Sequence, residues 1–272
     1  MKIGISDNVF PDDWSLEKAL KFTSEVGYEG IELNLHEKEG FLNLNTLPEE
    51  AISITREFRK YNIEISSLTT VLLNKYPLNS PSEKKRKFGF EIVKKMIELA
   101  QAMQVKIIQV VPGTISPALT YNQSYELSKK AIEHLAEIIK KTGITLGIEN
   151  VTNNFLSNPI EFSAFLNDVN TPSVQGYLDI GNARMYGLLG HWINLLSNKI
   201  IAIHAKDISL ETREFRPVLL GDVDWPTVIN KIKKYNLSGY IITTPPKRYK
   251  HFPKRQIETS YYDLQAALNS EL

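Results

Sequence analysis

Short runs rich in Ile and Val alternate with longer stretches whose apolar residues recur at helical spacing, and this alternation persists to the end of the chain. The runs at residues 2–6, 30–35, 63–68, 105–111, 144–149, 174–179, 200–206 and 239–243 have the length and β-branched content of buried parallel strands. The intervening stretches read as amphipathic helices. Leu16 to Phe22 follows Ser15, an N-cap residue, and stops at Gly27, a residue suited to the left-handed position that ends a helix. Residues 82–103 set Phe88, Ile92, Val93, Met96, Ile97, Leu99 and Ala100 on one helical face. Ala131, Leu135, Ile138 and Ile139 repeat the pattern before Gly143.

Strict βα alternation implies parallel strands joined by right-handed crossovers. Eight units in 272 residues, about 34 residues each, match an α/β protein built as a single (β/α)8 TIM barrel. A doubly wound sheet would carry fewer strands and often a glycine-rich first turn, and neither G-x-G-x-x-G nor a P-loop is present. No composition shift marks a linker, so residues 1–272 are expected to form one domain.

Composition narrows the function classes. Basic side chains number 32 against 31 acidic, a formal net charge of +1, which argues against a dedicated nucleic-acid binder. The absence of cysteine removes disulfides, thiolate nucleophiles and Cys-ligated metals. No stretch is long and apolar enough for a signal segment or a bilayer span, so a cytoplasmic protein is expected.

In such a barrel the chemistry sits where strands end at their C-termini. Strand five ends Gly147-Ile148-Glu149-Asn150, strand six Leu178-Asp179-Ile180-Gly181-Asn182, and strand seven Ile203-His204-Ala205-Lys206-Asp207. Alternation points His204 and Lys206 one way and Asp207 the other. Glu149, Asp179 and His204 thus come from three consecutive strands at one expected depth. Two carboxylates and an imidazole suit Mn²⁺, Mg²⁺, Fe²⁺ or Zn²⁺ with positions left for substrate oxygens. Singly, each has a plainer reading as a helix cap, an ion-pair partner or a satisfied polar group.

These strand ends, followed by Arg216-Pro217 and Gly221-Asp222-Val223-Asp224-Trp225, occur in the order typical of the sugar phosphate isomerase/epimerase family. That family has the xylose isomerase-like TIM barrel and is related to endonuclease IV. Trp14 to Glu17 and Gly27-Tyr28-Glu29-Gly30-Ile31-Glu32-Leu33 resemble its first βαβ unit. The resemblance implies Glu149, Asp179 and His204 as ligands of one divalent metal, with Glu149 also the acid/base. It implies Arg216 and Lys206 as substrate contacts; Asn182, standing where many members have His, is also expected to contact substrate, and His36 after strand two is expected to line the mouth. In the family a glutamate ending strand eight completes the metal sphere and serves as second base. Here Thr244 stands at that position, and no acid lies between Gly239 and Lys247.

The expected function is a metal-assisted isomerase or epimerase of a small sugar or sugar phosphate acting through an enediolate. Loss of the strand-eight glutamate leaves room for a weakly bound or absent metal, and for a non-catalytic, metal-poor barrel that binds a sugar-like ligand or a protein partner. An endonuclease IV-like repair enzyme is a lesser alternative, since strand three carries no histidine. Homo-oligomerisation is left open. The basic run from Lys247 to Arg255 follows strand eight and hints at an anionic ligand, whereas Lys84 to Lys87 reads as a solvated helix face.

Overall fold

The structure, a computed structural model, describes residues 1–247, 249 and 251–270. Eight parallel strands close on themselves: β1 (Lys2–Ser6), β2 (Gly30–His36), β3 (Glu64–Thr69), β4 (Ile107–Val110), β5 (Thr145–Glu149), β6 (Val174–Asp179), β7 (Ile200–Ala205) and β8 (Tyr240–Thr243). Closure comes from β1 pairing with both β2 and β8, for example Ile5 opposite Ile31 on one side and Thr243 on the other. The helices α1 (Leu16–Val26), α2 (Pro48–Lys60), α3 (Glu83–Met103), α4 (Tyr121–Ile139), α5 (Pro159–Val169), α6 (Leu189–Leu196), α7 (Trp225–Lys234) and α8 (Pro253–Asn269) follow the strands in turn. The expected (β/α)8 barrel is the fold.

Local chemistry sets the helix limits. Ser15 caps α1 by accepting from the Lys18 amide at 3.2 Å, and Gly27 ends it with φ of +111°. Thr120 and Gln123 form a reciprocal box at the start of α4. Against strict alternation the structure adds short elements: a 3-10 turn at Asp7–Val9, a two-residue strand at Leu42–Asn43, helices at Leu72–Lys75 and Ile180–Tyr186, and an antiparallel pair joining Asp207–Ile208 to Phe215–Arg216. All of these follow the C-terminal end of a barrel strand, so elaboration gathers on one face. Among the described residues no helix is long and apolar enough to cross a membrane.

The main apolar core lies between barrel and helices, and includes Leu33, Leu146, Ile148, Leu178, Ile203 and Ile241. Tyr177, Ala202, Tyr240 and Ile242 form a separate cluster. Because strand side chains alternate, these inward residues share their face with those two positions further on. Tyr177 leads to Asp179, Ala202 to His204, and Ile242 to Thr244. The barrel interior is therefore apolar below and polar at the C-terminal end. Gly147 makes that filling possible: a Cβ there would stand 2.7 Å from Tyr177 Cδ2.

Asp207, pointing away from His204 as alternation demands, is fully buried and ties down the loop after β7. It accepts from the amides of Ile208 (2.8 Å) and Val223 (3.0 Å) and from Trp225 Nε1 (2.8 Å). Truncating it orphans three buried donors. Asp207→Ala is expected to lower stability by about 3 kcal/mol. Chemical denaturation checks this, and Asp207→Asn should recover part of the loss.

Candidate active site

Strand register determines how the candidate residues meet. Asp179 lies opposite His204, but Glu149 lies opposite Tyr177, so Glu149 starts two residues deeper than expected. Side-chain length closes the gap. One donor atom from each of Glu149, Asp179 and His204 falls within 4.8 Å of the others. His204 Nδ1 is 2.7 Å from Glu149 Oε1 and 3.8 Å from Asp179 Oδ2. Two donors bound to one ion at about 2.1 Å stand roughly 3 Å apart, so this spacing fits a divalent cation with small side-chain movements. The hard oxygens and single imidazole fit the same class of ion.

The partner that sequence reading did not assign is Glu32 of β2. Its Oε1 lies 3.0 Å from His204 Nε2, so the imidazole is held between two carboxylates from across the barrel. Glu32 Oε2 accepts from Tyr177 Oη at 2.6 Å and Ser67 Oγ at 2.8 Å. Gln109 donates to Glu149 Oε2 at 2.6 Å and is itself held by Thr69. The available signal was an acid inside the apolar run of strand two, sharing a face with Asn34.

Burial works against a charged imidazole at His204, yet Glu32 and Glu149 overrule it and push its pKa up to about 10. Burial raises Glu149 above the ordinary carboxylate range, and the imidazole only partly offsets this. Glu32 feels the same burial, but the His204 charge and its three hydrogen bonds hold it below that range. Two carboxyls on one imidazole are thus driven apart by their surroundings.

The remaining candidates divide. Lys206 donates to Asp179 Oδ2 at 2.6 Å and sits 4.3 Å over the Phe215 ring. Asn182 donates its amide N–H to Asp179 Oδ1 and its side chain to the Asn150 carbonyl. Both line a cavity of about 410 Å³ above the cluster, as do Glu32, Glu149 and Thr244. Arg216 is not among the residues lining it and pairs with Glu214 at 3.1 Å. His36 lines a neighbouring cavity of about 320 Å³ with Trp14, Phe41 and Lys247, which shares Asn8 with the first. The chain turns at Gly40, φ +85°, where a Cβ would stand 2.3 Å from the His36 ring. Lys247, at the head of the basic run, pairs with Asp12 at 3.0 Å, while Arg248 and Lys250 of that run lie outside the described residues.

Fold and site together define a (β/α)8 barrel with a buried carboxylate–imidazole cluster at its C-terminal mouth. The chain belongs to the xylose isomerase-like TIM barrel family, whose model matches residues 20–266. It is 26% identical over 246 residues to a putative L-ribulose-5-phosphate 3-epimerase of Haemophilus influenzae, covering 88% of this chain and 86% of that one. An L-ribulose-5-phosphate 3-epimerase of Escherichia coli is 22% identical over 88% of this chain and 84% of its own length. The fold superposes on D-psicose 3-epimerase with a TM-score of 0.84 at 16% identity, covering 99% of this chain and 100% of that one. A zinc-bound IOLI protein matches with a TM-score of 0.81 at 18% identity, covering 98% of each chain.

Beside the cavity, burial pushes Asp7 up to about 7 from an ordinary value of 3.8, against hydrogen bonds from Asn34. The folded protein then holds this proton more tightly than the unfolded chain. The contribution is complete below about pH 4 and is lost as pH rises through 7. Asp7→Asn is expected to flatten that stretch of the stability profile and to gain on the wild type between pH 6 and 8, as thermal unfolding at a series of about five pH values will test.

Proposed function

We propose that the protein is a divalent-metal-assisted isomerase or epimerase of a small sugar or sugar phosphate, working through an enediolate. The observation that carries this reading is the convergence of Glu149, Asp179 and His204 on the floor of a polar cavity at the barrel's C-terminal mouth. Membership of the family and the resemblance to L-ribulose-5-phosphate 3-epimerases support it. The same reading expects a cytoplasmic protein with a small-molecule substrate and no nucleic-acid partner.

Glu149, Asp179 and His204 would hold the ion, which supplies a Lewis acid that polarises a substrate carbonyl when bound. Glu149 takes the proton from the carbon beside that carbonyl. Burial suits it, because a carboxyl raised above its ordinary range is a stronger base. Gln109 fixes the plane of the Glu149 carboxylate. Glu32 holds the imidazole ring from behind, the position from which a carboxylate orients a ligating histidine. Lys206 steadies Asp179 and leaves its ammonium at the cavity wall, where a substrate oxygen can reach it.

A metal-poor, ligand-binding barrel is the second reading, favoured by Thr244 in place of an acid at the end of strand eight. The nuclease alternative has less support: among the described residues His204 is the histidine that lines the cavity.

Elemental analysis of purified protein is expected to find about one divalent ion per chain. Added Mn²⁺ or Mg²⁺ should raise the melting temperature. Glu149→Gln should cut turnover by about 10²-fold or more with the fold intact. No bound ion, no thermal shift and unchanged turnover would together favour the metal-poor barrel. Glu32→Gln is expected to weaken metal affinity about 10–100-fold, measurable by calorimetric titration without any substrate.

A further inference from the structure

The titratable side chains lining the cavity are distributed unevenly around the barrel. Glu149, Asp179, His204 and Lys206 come from β5, β6 and the end of β7, which are neighbours in the ring. In a closed ring of eight strands, β1 and β2 stand across from β5 and β6. That far side, together with β8 and β3, lines the cavity with Ser6, Asn8, Asn34, Thr69 and Thr244. None of these can take or give a proton at carbon.

Two acids on the far side need to be excluded. Glu32 is 1% exposed, with one carboxylate oxygen on His204 and the other accepting from Tyr177 and Ser67. Both Glu149 oxygens are engaged as well, by His204 and Gln109, but Glu149 keeps more of its surface on the cavity, 8% against 1%. Asp7 opens on the neighbouring cavity, and its carboxylate is engaged by the Asn34 amide and side chain.

The far wall does carry unmet hydrogen-bonding capacity. Asn34 is 1% exposed, and its Nδ2 is held by Asp7 and Ser6, yet its Oδ1 has no partner. Thr244 Oγ1 is likewise buried without a partner. Buried polar atoms without partners are rare, and two of them in one cavity wall call for a ligand that supplies hydroxyls.

We infer that this site moves a proton on one face of its substrate only, so that it interconverts an aldose and a ketose and does not invert a stereocentre. The inference rests on the reaction class proposed above and narrows it. Inversion needs a base on one face of the planar enediolate and an acid on the other. With Glu149 alone, the proton leaves and returns on the same face. Starting from a ketose, Glu149 removes hydrogen from C1, and the C–H pair becomes the C1=C2 bond while the carbonyl oxygen takes the charge. The hydroxyl proton then passes from O1 to the adjacent O2, and the carboxyl returns its proton to C2. Carbon one ends as the aldehyde, and no atoms are gained or lost. Asn34 and Thr244 meanwhile accept or share hydroxyl protons of the chain beyond C2 and hold it against the far wall.

The test incubates the metal-loaded protein in D2O with L-ribulose, L-ribulose 5-phosphate, D-fructose and D-tagatose, and analyses the sugars by NMR after protein removal. The expected result is an aldose from at least one ketose, with no C3 epimer and with part of the transferred hydrogen retained from C1. The free and phosphorylated ribuloses distinguish whether the distal end must be anionic. Thr244→Glu, which restores a carboxylate to the far wall, should begin to form the C3 epimer. Thr244→Val should weaken binding of the accepted sugar about tenfold by calorimetry at unchanged metal content. A C3 epimer from the wild type overturns the single-face assignment and leaves the proposed function standing. Metal-loaded protein that neither converts nor exchanges hydrogen in any of the four sugars overturns the proposed function, and this inference with it.

Discussion

The contact on which the site depends is the imidazole of His204 held between Glu149 and Glu32, at 2.7 Å and 3.0 Å. A buried charge is tolerated only when it is paired and hydrogen-bonded, and here a single ring receives two carboxylates from opposite sides of the barrel. Each acid is then fixed by further donors: Gln109 on Glu149, Tyr177 and Ser67 on Glu32. The arrangement spans β2, β3, β4, β5, β6 and β7, so positioning one side chain positions nearly the whole floor of the cavity.

That network in turn requires the apolar filling beneath it. Tyr177 performs both tasks, with its ring in the inner apolar cluster and its hydroxyl on Glu32. The ring has room because residue 147 lacks a Cβ, and Gly147 stands two positions before Glu149 on the same inward face. Stability and chemistry therefore meet in one strand pair. A larger residue at 147 would shift the ring and with it the hydroxyl that holds Glu32.

Much of the barrel was legible because its causes are local. Apolar run length placed the strands to within one or two residues, Ser15 and Gly27 marked a helix's ends, and strand alternation separated His204 from Asp207. The gathering of Glu149, Asp179 and His204 was legible for the same reason, since a parallel barrel brings consecutive strand ends together. The Glu32 contact was not, because it joins residues 172 positions apart and depends on barrel closure. His36 and Arg216 lie where the chain leaves the barrel, and there a turn at Gly40 and a two-residue antiparallel pair, not strand periodicity, set the local backbone.

The near-zero net charge conceals a separation that the fold makes functional. Around one cavity, ionisable groups occupy the arc from β5 to β7, and neutral hydroxyl and amide groups occupy much of the facing arc. The first arc can move protons and hold a cation. The second, Glu32 apart, presents hydroxyl and amide groups, and its Asn34 and Thr244 oxygens are buried without partners, which is unfavourable until something fills them. Thr244 is where the two demands collide. An acid at that position would add a proton carrier and a metal ligand but would place another negative charge beside a floor that already buries three carboxylates. A hydroxyl avoids that repulsion. Thr244 therefore leaves the carboxylate–imidazole floor intact while adding no further proton carrier to the cavity wall.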